Sequence, residues 1–195
     1  PGTVNLTVTK HNFIPHLGSF NIAEETYFAN ILDYIIDDDN TGTSSGNGDG
    51  IINPGEDIEL RVRLKNYGTA TLNSVSATIS TDSPFATITD DSEDYGNIPS
   101  DSSAYSSDDF DFSVDPACLG GIEIQFDLLI EDGSGHQWND KLYLPVEGPN
   151  LYAKNYSVID GNNGILDPGE TAEVVVTVRN IGSVIANNIT GTLSC

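Results

Sequence analysis

The sequence is poor in the residues that carry most protein chemistry. It has no methionine, one tryptophan, two cysteines and seven lysines or arginines among 195 residues. Against those seven stand 30 aspartates and glutamates, for a formal net charge of −23. So few cations exclude nucleic acid as a partner, because that binding rests on Lys and Arg neutralising phosphates. They also argue against an anionic membrane surface. The same acidity favours solubility and draws divalent cations. Two cysteines make no disulfide framework. Cys118 and Cys195 are expected to be unpaired, or Cys195 to have a partner beyond the chain end. No apolar run reaches bilayer-spanning length, and no signal peptide or lipidation motif is present. With no Met, Pro1 reads as the start of a piece of a longer chain. There is no histidine partner for Cys118 and no pair of acids with an assignable role, so no catalytic residue is named.

What is present is a repeat. Gly50-Ile51-Ile52-Asn53-Pro54-Gly55-Glu56 returns as Gly164-Ile165-Leu166-Asp167-Pro168-Gly169-Glu170, an offset of 114 (164 − 50). Both copies continue into an alternating strand and an Asn-x-Gly turn, Asn66-Tyr67-Gly68 and Asn180-Ile181-Gly182. The offset holds to the end of the chain, where Cys195 falls on Thr81. Before the repeated stretch lies a polar loop, Asp37 to Gly50 in the first copy and only Asp160 to Gly164 in the second.

The apolar residues alternate at strand spacing throughout, with turn residues every ten or so positions and no helical periodicity. Val4, Leu6 and Val8 open the chain, and Phe20-Asn21-Ile22 returns after a Lys10-His11-Asn12 break. Ile58, Leu60, Val62 and Leu64 form one inward row; Val75, Ala77 and Ile79 the next. Residues 82–109 are polar, with short edge strands expected at Phe85–Ile88 and Tyr95–Ile98. Phe110, Phe112 and Val114, then Ile124, Phe126, Leu128 and Ile130, then Leu142, Leu144 and Val146 complete the set. Asp132-Gly133-Ser134-Gly135 is expected as a tight hairpin turn. The pattern is that of an all-β protein: antiparallel immunoglobulin-like β-sandwich modules in tandem. Residues 1–22 read as closing strands of an upstream module, 23–31 as a connector, 32–147 as a complete module opening at Leu32, and 148–195 as the first half of a second copy.

The loop before Pro-Gly-Glu is the one stretch with a ligand-like pattern. Asn47-Gly48-Asp49-Gly50-Ile51 places oxygen side chains at alternate positions around glycines, as the middle of a calcium loop does. Asp37 and Asp38 precede it and Glu56 follows. In the second copy Asp160, Asn162, Asp167 and Glu170 supply the oxygens, with Asn163 beside them. Ca2+ accepts six to eight oxygen ligands, some from the backbone, whereas Mg2+ demands a tight octahedron. Twelve-residue EF-hand spacing and flanking helices are lacking. The competing reading is a plain solvated turn in which Asn-Gly and Asp-Gly supply positive φ.

Gly48-Asp-Gly-Ile-Ile-Asn-Pro-Gly-Glu56 with its strand and Asn-x-Gly turn resembles bacterial secreted immunoglobulin-like modules of the cell-adhesion-related type. Phe110–Cys118 and Ile124–Trp138 resemble the closing half of modules that follow gingipain-type cysteine peptidase domains, and Val4–His16 resembles the end of the domain directly behind such a catalytic domain. The resemblance implies an extracellular or cell-surface, non-catalytic segment of a multidomain secreted protein, with the peptidase's Cys and His upstream. The expected function is a stalk or adhesion segment stiffened by structural calcium at its inter-module loops. Its expected partners are neighbouring modules of the same chain, with identical subunits or a cell-surface ligand as further candidates and no membrane insertion. The alternative is a surface-filament subunit assembled by β-strand addition between chains. An enzyme is the third class.

Overall fold

Alternation sets the strands. Residues 57–66 put Ile58, Leu60, Val62 and Leu64 on one face, all buried, and Glu59, Arg61, Arg63 and Lys65 on the other. A sheet with one covered face requires that pattern. The computed structural model describes residues 2–194 and contains thirteen strands. They are β1 Gly2–Val8, β2 His16–Ile22, β3 Ala29–Asp37, β4 Asp57–Asn66, β5 Leu72–Ser80, β6 Ala86–Asp90, β7 Ser92–Ile98, β8 Ser103–Tyr105, β9 Phe110–Val114, β10 Glu123–Glu131, β11 Gln137–Pro145, β12 Leu151–Ile159 and β13 Glu173–Asn180.

Strands β3 to β11 form an antiparallel β-sandwich. One sheet has the order β3-β4-β9-β6, with β8 also paired to β4; the other has the order β11-β10-β5-β7. The edge strands expected between residues 82 and 109 are thus β6 and β7, one on each sheet. The inner faces meet at Phe110, Phe112 and Phe126, all buried, with the Phe112 and Phe126 rings 4.8 Å apart. Each such side chain contributes about 1.5–3 kcal/mol by leaving water. Every residue of the buried apolar core lies between Ala29 and Val146. Cys118 is among them as a free thiol, and burial pushes its pKa up, which suppresses the reactive thiolate. Cys195 lies outside the described residues.

Two expectations need correction. The first strand of the sandwich opens at Ala29, not Leu32, so Ala29, Asn30 and Ile31 are strand and not connector. Pairing to β4 slips between Ile31 and Asp33, which is a β-bulge. The bulge turns the inward row into Ala29, Ile31, Tyr34, Ile36, whose partners are the inward Asn66, Leu64, Val62 and Leu60. The step of three breaks the alternation that marks a strand in sequence. The turn at Asp132 is also longer than a two-residue hairpin: Glu131 pairs with Gln137, leaving residues 132–136 as the loop. The buried Asp132 carboxylate closes it, accepting from Ser134 N at 2.9 Å and His136 N at 3.0 Å.

The flanking strands repeat the pairings of the sandwich. Leu151 pairs with Asn180 as Ala29 pairs with Asn66, and Ile159 with Glu173 as Asp37 with Glu59. The bulge recurs as well, between Ala153 and Asn155. At the other end, Gly2 pairs with Ile22 as Ile124 pairs with Leu144, and Val8 with His16 as Ile130 with Trp138. The structural offset is 122 for β1, β2 and β12 (151 − 29, and 124 − 2) and 114 for β13 (180 − 66). The 122 exceeds the 114 that separates Gly50 from Gly164 because the first loop is eight residues longer (122 − 114). Both flanking sheets have two strands, and their apolar residues, such as Leu6, Phe20 and Val176, are exposed.

Candidate functional site at the β3–β4 loop

Residues 38–56 fold as a series of side-chain-closed turns. The Asp39 carboxylate accepts from Thr41 N at 2.8 Å, Asn47 Oδ1 from Asp49 N at 3.0 Å, and Asp49 from Ile51 N at 2.9 Å. Asp and Asn do this because their short side chains reach the backbone two residues on. Asp38 is the buried centre: Oδ2 accepts from Gly48 N at 3.1 Å and Oδ1 from Gly50 N at 3.0 Å. Glu56 is also buried, and its Oε2 accepts from Asn53 N at 2.8 Å.

The second copy keeps this arrangement. Asp160 accepts from Gly164 N at 3.1 Å, Asn163 from Ile165 N at 2.7 Å, and Glu170 from Asp167 N at 3.0 Å. Gly50 and Gly164 share φ values of 73° and 76°, and Gly55 and Gly169 share 88° and 90°. Asp160 therefore does the work of Asp38, and Glu170 that of Glu56. The loop is exposed in the second copy.

Asp38, Asn47, Asp49 and Glu56 come together in this loop; Asp37 does not. It is the exposed last residue of β3, and its carboxylate accepts from Asp39 N at 3.2 Å. Gly46 crosses over the Asp38 carbonyl and the Glu56 carboxylate: a Cβ there would lie 2.7 Å from the first oxygen and 2.9 Å from Oε1 of the second. A glycine is thus required to let a backbone carbonyl and a carboxylate share one space. Hard oxygens of these two kinds suit calcium. Among the described residues, no group of three or more His, Cys, Asp or Glu side chains stands ready to hold a metal ion. A calcium here would draw on carbonyl and amide oxygens as well as on Asp38 and Glu56.

Burial pushes the Glu56 pKa up, against the pull of the Asn53 and Asn47 amides, and the charges of Asp38 and Asp49 push it further. Glu93, Asp109 and Asp111 are raised too, burial first among the causes. A carboxyl whose folded pKa exceeds its unfolded value destabilises the fold while ionised in both states. That cost is relieved as pH falls through the folded pKa. The melting temperature is therefore expected to rise from pH 7 to about pH 5. It then falls below about pH 4, as Asp33, Asp101 and Asp127, held low by bonds from Arg63, Lys65 and Lys141, take up protons. Glu56→Gln should flatten the rise. A melting temperature that only falls between pH 7 and pH 5 contradicts this ordering.

The loop also grips the chain leaving the sandwich, which the sequence reading missed. Asn53 Nδ2 donates to the Glu147 carbonyl at 2.8 Å, and Glu147 N donates to the Ile52 carbonyl at 2.8 Å. Asn150 then donates to the Gly120 carbonyl at 3.3 Å and, from its backbone, to Asn180 Oδ1 at 3.0 Å. Ile181 N reaches the Asn150 carbonyl at 2.8 Å. The entering chain is held in the same way: Tyr67 N donates to the Phe28 carbonyl at 2.8 Å, and Ala70 N to the Thr26 carbonyl at 3.0 Å. Tyr27 stacks on His136, ring centroids 4.3 Å apart. Each Asn-x-Gly turn is thus the clamp on the linker that precedes it. Its recurrence was the available signal, but a turn motif does not say what lies against it.

No family model and no curated protein matches the sequence. Among solved structures the chain is similar to Spo0M, the sporulation control protein of Bacillus subtilis, with a TM-score of 0.35 and 13% identity. The match covers 68% of this chain and 60% of that one, so it spans less than two thirds of that protein's length. A likeness of this degree decides nothing about function.

Proposed function

We propose that this chain is a non-catalytic, extracellular stalk or adhesion segment built of immunoglobulin-like modules, with calcium stiffening the loop at each module's exit. The observation that carries this reading is the bond from Asn53, inside the loop, to the Glu147 carbonyl in the exiting linker. A cation that orders residues 38–56 would order the junction through that contact. The repetition of loop, turn and linker clamp in the second copy supports a tandem array. The sheet orders β11-β10-β5-β7 and β3-β4-β9-β6 support an immunoglobulin-like module, although β6 precedes β7 in the chain where the usual seven-strand order runs differently. The resemblance to modules behind gingipain-type peptidases supports a secreted setting.

The test is calcium titration of the whole chain at neutral pH, followed by thermal unfolding. Calcium at 100 times its dissociation constant stabilises by about 2.7 kcal/mol, which for a sandwich of this size is roughly 10 °C in melting temperature. A chelator should reverse the shift, and Asp38→Asn with Glu56→Gln should abolish it. An unchanged melting temperature, together with no heat of calcium binding, removes calcium from the proposal.

A further inference from the structure

Along one edge the two sheets of the sandwich meet through polar groups. Strands β8 and β9 both lie along β4, with Tyr105 opposite Arg63 and Phe110 opposite Leu60. Residues 106–109 between them leave the sheet and cross to β7 of the other one. Ser107 N donates to the Asp94 carbonyl at 2.8 Å, and Asp108 N to Glu93 Oε2 at 3.1 Å. β7 turns Glu93 and Tyr95 inward, where they are 4% and 7% exposed. Ser106, 3% exposed, lies against Tyr95 from the crossing segment.

Oxygens collect in this seam, and several have nothing to bind. The buried hydroxyls of Tyr95 and Ser106 and the buried Oδ1 of Asp109 have no hydrogen-bond partner among the described residues. The two hydroxyls are neighbours, yet even a bond between them would leave one hydroxyl proton unplaced. The charges of Glu93 and Asp109 both act on the Tyr95 hydroxyl, which is thus aimed at the carboxylates. Asp90, Asp108 and Asp111 add negative charge around them. Arg61, half exposed, stays 3.7 Å from Asp109 Oδ1, beyond hydrogen-bonding reach. Buried charges are normally paired or coordinate metals, and buried polar groups are normally hydrogen-bonded. The chain's own groups satisfy neither rule here.

We propose that the seam binds magnesium, with Glu93 and Asp109 as its protein ligands and the Tyr95 and Ser106 hydroxyls bonded to its waters. Magnesium keeps several of its waters and is commonly bound through one or two carboxylates, whereas calcium takes six to eight oxygens. The seam centres on two carboxylates, and among the described residues no group of three acids stands ready for a metal. Metal-bound water donates to the hydroxyl oxygens, which leaves the hydroxyl protons for the carboxylates. The Asp109 side chain is 30% exposed, so the seam opens to solvent on that side. The ion ties the sheets together, since Glu93 lies on β7 of one and Asp109 leads into β9 of the other. It shares no ligand with the β3–β4 loop and does not depend on calcium there.

Magnesium titration of the whole chain tests this, with calcium removed by a chelator selective for it. At about ten times its dissociation constant, magnesium is expected to raise the melting temperature by roughly 5 °C. Glu93→Gln keeps an oxygen for Asp108 N and removes a buried charge, so it should melt no lower than the parent without metal. Its magnesium affinity, read by calorimetry, should fall about tenfold or more, and so should that of Ser106→Ala, which removes only a hydroxyl beside the ion. Asp38→Asn with Glu56→Gln should leave the magnesium response intact, and saturating magnesium should leave the calcium response of the loop intact. No heat and no melting shift with magnesium, as for a seam that holds water alone, overturns the proposal. So does a response that survives Glu93→Gln or Ser106→Ala unchanged. Either result leaves the calcium reading of the loop standing, and loss of the calcium response alone leaves the seam standing.

Discussion

Asn66→Ala is expected to lower the unfolding free energy of the sandwich by about 3 kcal/mol or more, as each buried group left unpaired costs roughly 1–3 kcal/mol. Asn66 is fully buried at the end of β4. Its Nδ2 donates to the Ala70 carbonyl at 2.8 Å and to the Ile98 carbonyl at 2.9 Å, and its Oδ1 accepts from Gly68 N at 2.8 Å. One side chain thus closes the Asn-x-Gly turn and ties it to the end of β7. Alanine removes all three partners at once, and no water replaces them in a closed site. Urea unfolding should show a lower midpoint with an unchanged slope. Asn180→Ala is the internal comparison. Asn180 makes the equivalent bonds to Val184 and Gly182 but is exposed and outside the core. It should leave the main transition within about 0.5 kcal/mol, the usual range for surface changes. A loss below about 1 kcal/mol for Asn66→Ala would mean that the turn is held by its backbone alone.

Gly182→Ala is the second large effect, and it strikes the junction and not the sandwich. A Cβ on Gly182 would overlap the Gly148 carbonyl and lie 2.5 Å from Asn150 N and 2.8 Å from the Pro149 carbonyl carbon. All three are backbone atoms, so no side chain can swing away. The linker must leave the turn, breaking the bonds from Asn150 to Asn180 and from Ile181 to Asn150. Limited proteolysis within residues 146–150 should speed up at least tenfold, as expected if about 1.4 kcal/mol of docking is lost. The melting of the sandwich should stay within about 0.5 kcal/mol of the parent. Equal cleavage rates in variant and parent would show that the linker is already free in solution.

The strand rows of the sandwich were readable because its two sheets each cover one face. Ile58 to Leu64 alternate without interruption and Ile124 to Ile130 with one apolar outward residue, the half-buried Leu129, and both inward rows are buried. The start of β3 was unreadable for a definite reason. The bulge after Ile31 inserts a residue, so Leu32, which looks like the first apolar member of the strand, is 40% exposed, while Ala29 three residues earlier is buried. The loop was legible as a cluster of oxygens, but not how those oxygens are spent. Asp38 and Glu56 are buried acceptors for backbone amides, a role that depends on Gly48, Gly50 and Asn53 being brought back over them. Asp37 looked equal to Asp38 in a run of three acids. It differs because the strand ends between them and turns one side chain out and the next in. The linker clamps were invisible, since their bonds join groups far apart in sequence, as Asn53 and Glu147 are.

The two loops differ in length by eight residues, yet pairing on either side of them is the same residue for residue, bulge included. Lengthening a loop costs little, about 0.6 kcal/mol per doubling. Here the insertion is spliced in after Asp38 and before Gly50, whose bond closes the base of the loop whatever lies between, as Asp160 and Gly164 do in the shorter version. The base is a latch, and the interior is free to vary. A module of this design can exchange what its loop displays, or lose it, without retuning its strands or its grip on the neighbour.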